Sequence, residues 1–213
     1  MSSVWNERAE AYRESAPHRE GPDLDLLVEW AAGAQTALDV GSGGGHVARR
    51  LREAGLEVVS VDPAPGMRAD VQARAEDLPF ADGSFDVVAS RAAVHHFADA
   101  RAGVREMARV AADRVLVVDN LFMGEPAEEA DRLRDPSHGR NYSEEEWRAL
   151  YAGAGLTVVE VRRLDKPIRF APWLERSGCS GVEAERVRVL LADRIDGDSI
   201  TLDRIALFGR KDR

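Results

Sequence analysis

One stretch constrains this chain more than any other: ALDVGSGGGHVA, residues 37–48. A short apolar run ends at Asp39. Gly41, Gly43, Gly44 and Gly45 then fall within five positions, and Val47, Ala48 and Leu51 recur at helical spacing. The pattern predicts a strand, a tight glycine turn and the start of a helix. Glycines let the backbone turn sharply and let a ligand lie against bare main chain, and the first N–H groups of the new helix lack partners of their own. A dinucleotide turn, G-x-G-x-x-G, would need its third glycine at position 46, where His46 stands. Asp39 just before the turn would repel a pyrophosphate and attract a cation.

The rest of the chain can be placed around that turn. Residues 4–15 predict an amphipathic helix with Trp5, Ala9 and Tyr12 on one face, broken by Pro17, Gly21 and Pro22. Asp23 is then expected to cap a helix carrying Leu26, Leu27 and Trp30. Strands are expected at about 35–40, at GLEVVSVD ending on Asp62, at DVQARA (70–75), at FDVVAS, at RVLVVDN, at LTVVEVRRL and at SITLDRIALFGRK. Asp99 should cap a helix whose Val104, Met107, Ala108 and Ala111 share a face. A short helix is expected over 125–134. Ser143 and Glu146 have capping-box spacing ahead of Trp147, Leu150, Tyr151 and Ala154. Alternating strands and helices imply an α/β fold: a seven-stranded, mostly parallel sheet with helices on both faces. Residues 165–197, with helices around 171–177 and 182–194, form a small helical cap between strands six and seven. We therefore expect a single domain over 1–213. It comprises an N-terminal helical segment (1–30), a core (31–164), the cap and a last strand (198–213).

Only nine positions separate Asp62 from Val71, whereas a parallel crossover ordinarily takes about a dozen residues or more. The helix between strands two and three should therefore shrink to a turn shaped by Pro63, Pro65 and Gly66. Strand three should be short or displaced, and the uncovered edge would suit a partner such as a second copy in a homodimer.

Composition narrows the partners. The 213 residues carry 29 Lys and Arg against 38 Asp and Glu, a net charge of −9. That balance argues against nucleic acid, whose binding needs clustered basic charge. Cys179 is the single cysteine, which excludes an internal disulfide, fits a cytoplasmic location and predicts packing rather than nucleophilic chemistry. MSSVWNERAEAY has no apolar core segment, so no signal peptide is expected. No run approaches the roughly 20 apolar residues of a membrane span.

In open parallel sheets the ligand crevice lies beyond the carboxyl ends of the strands. Asp39, Gly41, Asp62, Asp77, Arg91 and Asn120 fall at those ends. Asp62, 21 residues after Gly41, can accept both hydroxyls of a ribose, and Asp77 can accept from an exocyclic amine. Three carboxylates around an adenosine with a cationic tail suit S-adenosylmethionine better than a nicotinamide cofactor. ALDVGSGGGHVA, VVSVDPAPGM, AEDLPFADGSFDVV and SRAAVHHF, in that order, resemble the class I S-adenosylmethionine-dependent methyltransferases. The single-domain branch that includes the ubiquinone/menaquinone C-methyltransferases is the nearest likeness, over about residues 5–165. The resemblance implies a Rossmann-like fold and the cofactor S-adenosyl-L-methionine. It implies Asp39 and Gly41 under the methionine moiety, with Ser42 in the same turn, and Gly43 beside the ribose. Asp62 would hold the ribose hydroxyls and Pro63 would flank the adenine. Asp77 would meet the adenine amine, with Glu76 and Leu78 beside it, and Arg91 and Ala92 would lie near the methionine part. Tyr12, Ser15, His18 and Gly21 look like the segment that closes over the cofactor in relatives.

Methyl transfer is an in-line displacement in which the protein positions and desolvates the reactants. A base helps only when the acceptor must lose a proton. His95, His96, His138 and Tyr142 are the candidates, each with a packing role as the alternative. Phe170, Trp173, Leu174 and Cys179 would make the cap over the acceptor pocket partly apolar, which suits a small-molecule acceptor methylated at O, C or N. The scattered histidines match no metal-ligand spacing, so no metal is expected. The alternative is a non-catalytic S-adenosylmethionine-binding protein with a regulatory or assembly role.

Overall fold

The structure, a computed structural model, describes residues 9–10 and 19–212. Trp5, Tyr12, Ser15 and His18 lie outside the described residues. The sheet has seven strands: β1 (Thr36–Val40), β2 (Glu57–Val61), β3 (Phe85–Arg91), β4 (Ala111–Asn120), β5 (Leu156–Arg169), β6 (Ile195–Asp196) and β7 (Ser199–Lys211). Their order is β2-β1-β3-β4-β7-β5, with β6 paired to β7. β2, β1, β3 and β4 run parallel. The pairings of β7 with β4, β5 and β6 are antiparallel. The sheet is thus mixed: its first half is parallel and its second half is organised around β7.

Residues along each central strand alternate between two cores, as the pleat requires. Leu38, Val88, Val115, Val117, Ile205 and Leu207 face one side. Helices α3 (Ala100–Val110) and α5 (Glu144–Gly153) cover that side with Val104, Met107, Trp147 and Tyr151. Ala37, Val87, Ala89, Leu116, Val118 and Ala206 face the other side. There α1 (Pro22–Trp30) and α2 (His46–Glu53) contribute Leu24, Leu27, Trp30, Val47 and Leu51. Burial on both faces is why the centre of β3 reads as consecutive apolar residues, Val87, Val88 and Ala89. The expected caps are present at Asp99, which accepts from the Ala102 N–H at 3.0 Å, and in the Ser143–Glu146 capping box.

Two expectations need correction. Residues 70–75 do not form a full strand. A single parallel bridge joins Val61 to Val71, and the seventh strand is the two-residue β6 instead. The connection from β2 is a single 3-10 turn, Pro65–Met67, as its length demanded. The Asp70 carboxylate accepts from the Ser60 N–H at 2.8 Å and from its hydroxyl at 2.7 Å, and the segment pairs with β2 at Val71 alone, as short as its length led one to expect. The second correction concerns Asp23. Gly21 is the N-cap of α1, Pro22 opens the helix, and Asp23 is buried.

A third cluster lies beyond the sheet end. The far halves of β5 and β7 extend past the core and carry α4 (Glu125–Arg134), α6 (Phe170–Glu175) and α7 (Gly181–Leu190). Ala130, Ile168, Phe170, Trp173, Leu174, Cys179, Val187, Ile200 and Leu202 pack there. Cys179 is buried in this cluster and burial raises its thiol pKa, which fits a packing role. No described helix is long and apolar enough to cross a membrane.

Candidate active site

A cavity of about 660 Å³ opens at the carboxyl ends of β1, β2 and β3, between the sheet and the third cluster. The glycine turn forms its floor. The N–H groups of Gly41 and Ser42 both donate to the Val61 carbonyl, at 2.9 and 3.0 Å, which ties the turn to β2. Gly41 has φ +68°, and a Cβ there would stand 2.6 Å from that of Ala93. Only glycine satisfies both the backbone sign and the close approach. Ala92, beside it on the cavity wall, holds φ +52°, a left-handed conformation that costs an alanine free energy.

The acids of the turn are tied to main chain. Asp39 Oδ2 accepts from the Ala48 N–H at 3.0 Å, in the first turn of α2. Burial pushes its pKa up to about 7, against that hydrogen bond, and the charge of Asp62 adds to the rise. Asp62 accepts from Ala64 and Gly43, both at 2.9 Å. Burial still raises its pKa. Gly41, Ser42, Gly43, Pro63, Glu76, Arg91 and Ala92 also line the cavity, as does His46 at the start of α2. Glu76 Oε1 accepts from the N–H groups of Ala98 and Asp99 at 2.8 and 3.2 Å.

The structure does not bring Asp77 or Leu78 to the cavity wall. Asp77 is exposed in a turn whose N–H donates to the Arg74 carbonyl. Leu78 is buried and anchored to α3, donating to Glu106 and accepting from Arg109. Gln72, Arg74 and Ala75 stand at the wall on this side. Ala9, from the N-terminal segment, packs on the lining residues Ala64 and Met67.

The four candidate bases divide. His95 and His96 line the cavity, whereas His138 and Tyr142 do not. His95 Nδ1 is hydrogen-bonded to Asp119 Oδ1, and the His95 N–H donates to Asp119 Oδ2 at 3.1 Å. Burial disfavours the imidazolium, but the charge and hydrogen bond of Asp119 outweigh it and raise the His95 pKa. His96 is the opposite case. Burial and the charge of His95 push it down to about 3, and its Nδ1–H donates to the Ser137 carbonyl at 3.0 Å. His138 lies behind them, with ring centroids 5.6 Å from His95, and meets Glu128 at 3.3 Å. Tyr142 stacks edge-on against Trp147.

Asp119, Asp23 and one further cluster were not singled out for the site by their place in the sequence. Asp119 could have been noticed, since it ends an apolar strand as Asp39 and Asp62 do. Asp23 could not. It accepts from Arg91 Nε at 2.8 Å and Arg204 Nη1 at 2.9 Å, partners 68 and 181 residues away. Burial would raise its carboxyl, but Arg91, Arg204 and Lys166 hold it below the usual range. The fold also gathers Glu128, Asp131 and His138, whose ligand-type atoms lie within 4.8 Å of one another, although their spacing gave no such sign. Asn141 occupies that trio internally, its N–H on Glu128 at 2.8 Å and its Nδ2 on Asp131 at 2.9 Å.

Comparison with known proteins agrees with this geometry. A family model described as a methyltransferase domain matches residues 38–118, the segment holding β1, β2, β3 and most of β4. The uncharacterized methyltransferase YcgJ of Bacillus subtilis is 34% identical over 198 residues, covering 82% of this chain and 78% of that protein. The chain therefore belongs to the methyltransferase family. The crystal structure of YcgJ superposes with a TM-score of 0.80 at 28% identity, over 90% of this chain and 98% of that one. A Burkholderia thailandensis 1,6-didemethyltoxoflavin-N1-methyltransferase with bound S-adenosylhomocysteine shares the fold. Its TM-score is 0.65 at 16% identity, over 99% of this chain and 85% of that one.

Proposed function

We propose that this enzyme binds S-adenosylmethionine in the cavity over the glycine turn and transfers its methyl group to a small-molecule acceptor. The carrying observation is the turn itself: bare backbone at Gly41, Gly43 and Gly44, with Asp39 and Asp62 on the same cavity. A carboxyl held near neutrality by burial, as at Asp39, gains most from a cationic neighbour, because the opposite charge favours its ionised form. Asp62 accepts one main-chain hydrogen bond at each oxygen and keeps acceptor capacity for ribose hydroxyls. Glu76, Ala75 and Pro63 suit the adenine side.

The cofactor, when bound, supplies an electrophilic methyl on a sulfonium. The chain supplies position and proton handling. Asp119 takes the Nδ1–H of His95, which leaves Nε2 as the basic nitrogen at the cavity wall. Above its raised pKa His95 is neutral and serves as the base for an acceptor that must lose a proton, and neutral His96 shapes the same wall. A protein that only bound the cofactor would need neither this pair nor the space beyond the turn.

Calorimetric titration with S-adenosylhomocysteine, beside NADH, tests the reading. Saturable binding of the first and none of the second is expected. Binding of NADH alone, or of neither, refutes it.

A further inference from the structure

The cavity has two electrically different ends. Asp39 and Asp62 mark the glycine-turn end. The opposite end is built by the outer halves of β5 and β7, the last residue of α4, and α6. In the antiparallel register Lys166 lies opposite Leu202, and Ile168 follows two residues along the same face. These three and Trp173 line the cavity, so its outer wall is apolar with a cation set into it.

Arg134 completes that wall. It is 9% exposed, its guanidinium lies 4.4 Å over the Trp173 ring, and its Nε is buried with no hydrogen-bond partner. Its nearest carboxylate, Asp131, stands at 3.8 Å, too far for a hydrogen bond. Lys166 is similar: its ammonium is 3.9 Å from Asp23 Oδ1, while Arg91 and Arg204 hold the other oxygen of that carboxylate. Arg134 is buried and Lys166 is half-buried, and cations withdrawn from water with unused donors carry a desolvation cost that an oxyanion would relieve.

We propose that the methyl acceptor is a small apolar molecule bearing an oxyanion, a carboxylate or a phosphate. The anion binds Arg134 and Lys166, and the apolar body lies against Ile168, Trp173 and Leu202. This rests on the methyl-transfer reading of the same cavity. Stacking over Trp173 holds the guanidinium plane in place, so its fork is presented to a planar or tetrahedral oxyanion with little further ordering.

The test uses the full chain saturated with S-adenosylhomocysteine and four probes on one ring isomer: naphthoate, naphthyl phosphate, naphthylmethanol and naphthylmethylamine. At least one anion should bind about tenfold tighter than the alcohol or the amine. Whichever anion binds tighter identifies the acceptor's charged group. Arg134→Met and Lys166→Met should each reduce that preference by about fivefold or more, with S-adenosylhomocysteine affinity kept within about twofold. The proposal is overturned if neither anion binds below ~1 mM, if the alcohol or amine binds as well, or if the preference survives both substitutions. Should a variant fail to fold, the ranking of probes on the unaltered protein decides. Repeating the titration without S-adenosylhomocysteine separates the two readings. Anion preference without nucleoside binding removes methyl transfer and keeps the anion site, and the reverse result removes the anion site alone.

Discussion

His95 and Asp119 are joined twice: the imidazole Nδ1 meets one carboxylate oxygen, and the His95 backbone N–H donates to the other at 3.1 Å. The second bond fixes the backbone of the β3–α3 connection against the end of β4, which holds the ring within reach of the same carboxylate. Asp119 raises the His95 pKa against burial. In Asp119→Asn the negative charge is gone, and the His95 pKa should fall below its value in the unaltered protein. Imidazole NMR titration measures this directly and needs no acceptor. An unchanged midpoint would remove Asp119 as the controlling charge. The sign for stability follows. A raised histidine pKa contributes stability below the unfolded value, and that stability is lost as pH rises through the folded one.

Asp39 runs the other way. Its folded pKa of about 7 lies above the unfolded 3.8. Between these values the native carboxyl keeps a proton that the unfolded chain has released, so stability falls as pH rises through that window. Asp39→Asn should stabilise the ligand-free protein by about 1–3 kcal/mol near pH ~8. It should also weaken S-adenosylmethionine binding and flatten its pH dependence. In the unaltered protein, affinity should increase from about pH 6 to about pH 8 with release of a proton, seen as a buffer-dependent heat in calorimetry. A heat independent of buffer would contradict this.

The family resemblance implies both Asp62 and Asp77 at the nucleoside, and of the two only Asp62 lines the cavity. Asp62→Ala removes acceptors for the Gly43 and Ala64 N–H groups as well as for ribose. We expect S-adenosylhomocysteine affinity to drop by roughly 10–100-fold, the scale of one or two lost hydrogen bonds to a charged group. Asp77→Ala should stay within about twofold. Equal losses from the two would restore Asp77 to the site.

Gly139 supports His95 from below. Its N–H and that of Arg140 donate to the His95 carbonyl at 2.9 and 3.3 Å, and a Cβ at 139 would lie 2.9 Å from the same oxygen. Gly139→Ala should push the 135–141 loop away and lower the melting temperature by several degrees, about 1–2 kcal/mol. Cofactor affinity should hold, because the glycine turn is untouched. A calorimetric scan with and without S-adenosylhomocysteine separates the two effects.

Much of this protein is written locally. The turn at 41–45, the caps at Asp99 and Ser143, and the shortened β2 connection follow from glycine stereochemistry, side-chain capping and chain length, which act over a few residues. The buried run of β3 is equally legible, because a strand covered on both faces has no polar side to display. These features sufficed for the α/β fold and for the placement of Asp39, Gly41, Asp62, His95 and His96 on one cavity.

Tertiary structure decided what depends on distant pairs. Whether Val71 begins a strand depended on Asp70 finding Ser60. Whether Asp23 capped a helix or received Arg91 and Arg204 depended on α1 meeting the end of β3 and the middle of β7. Asp119 met His95 when β4 took its place beside β3, and Arg134 met Trp173 when α4 packed into the third cluster. In each case the residue has two chemically sound uses, and the choice rests on burial and on the charge brought against it, neither of which is a property of the neighbouring sequence.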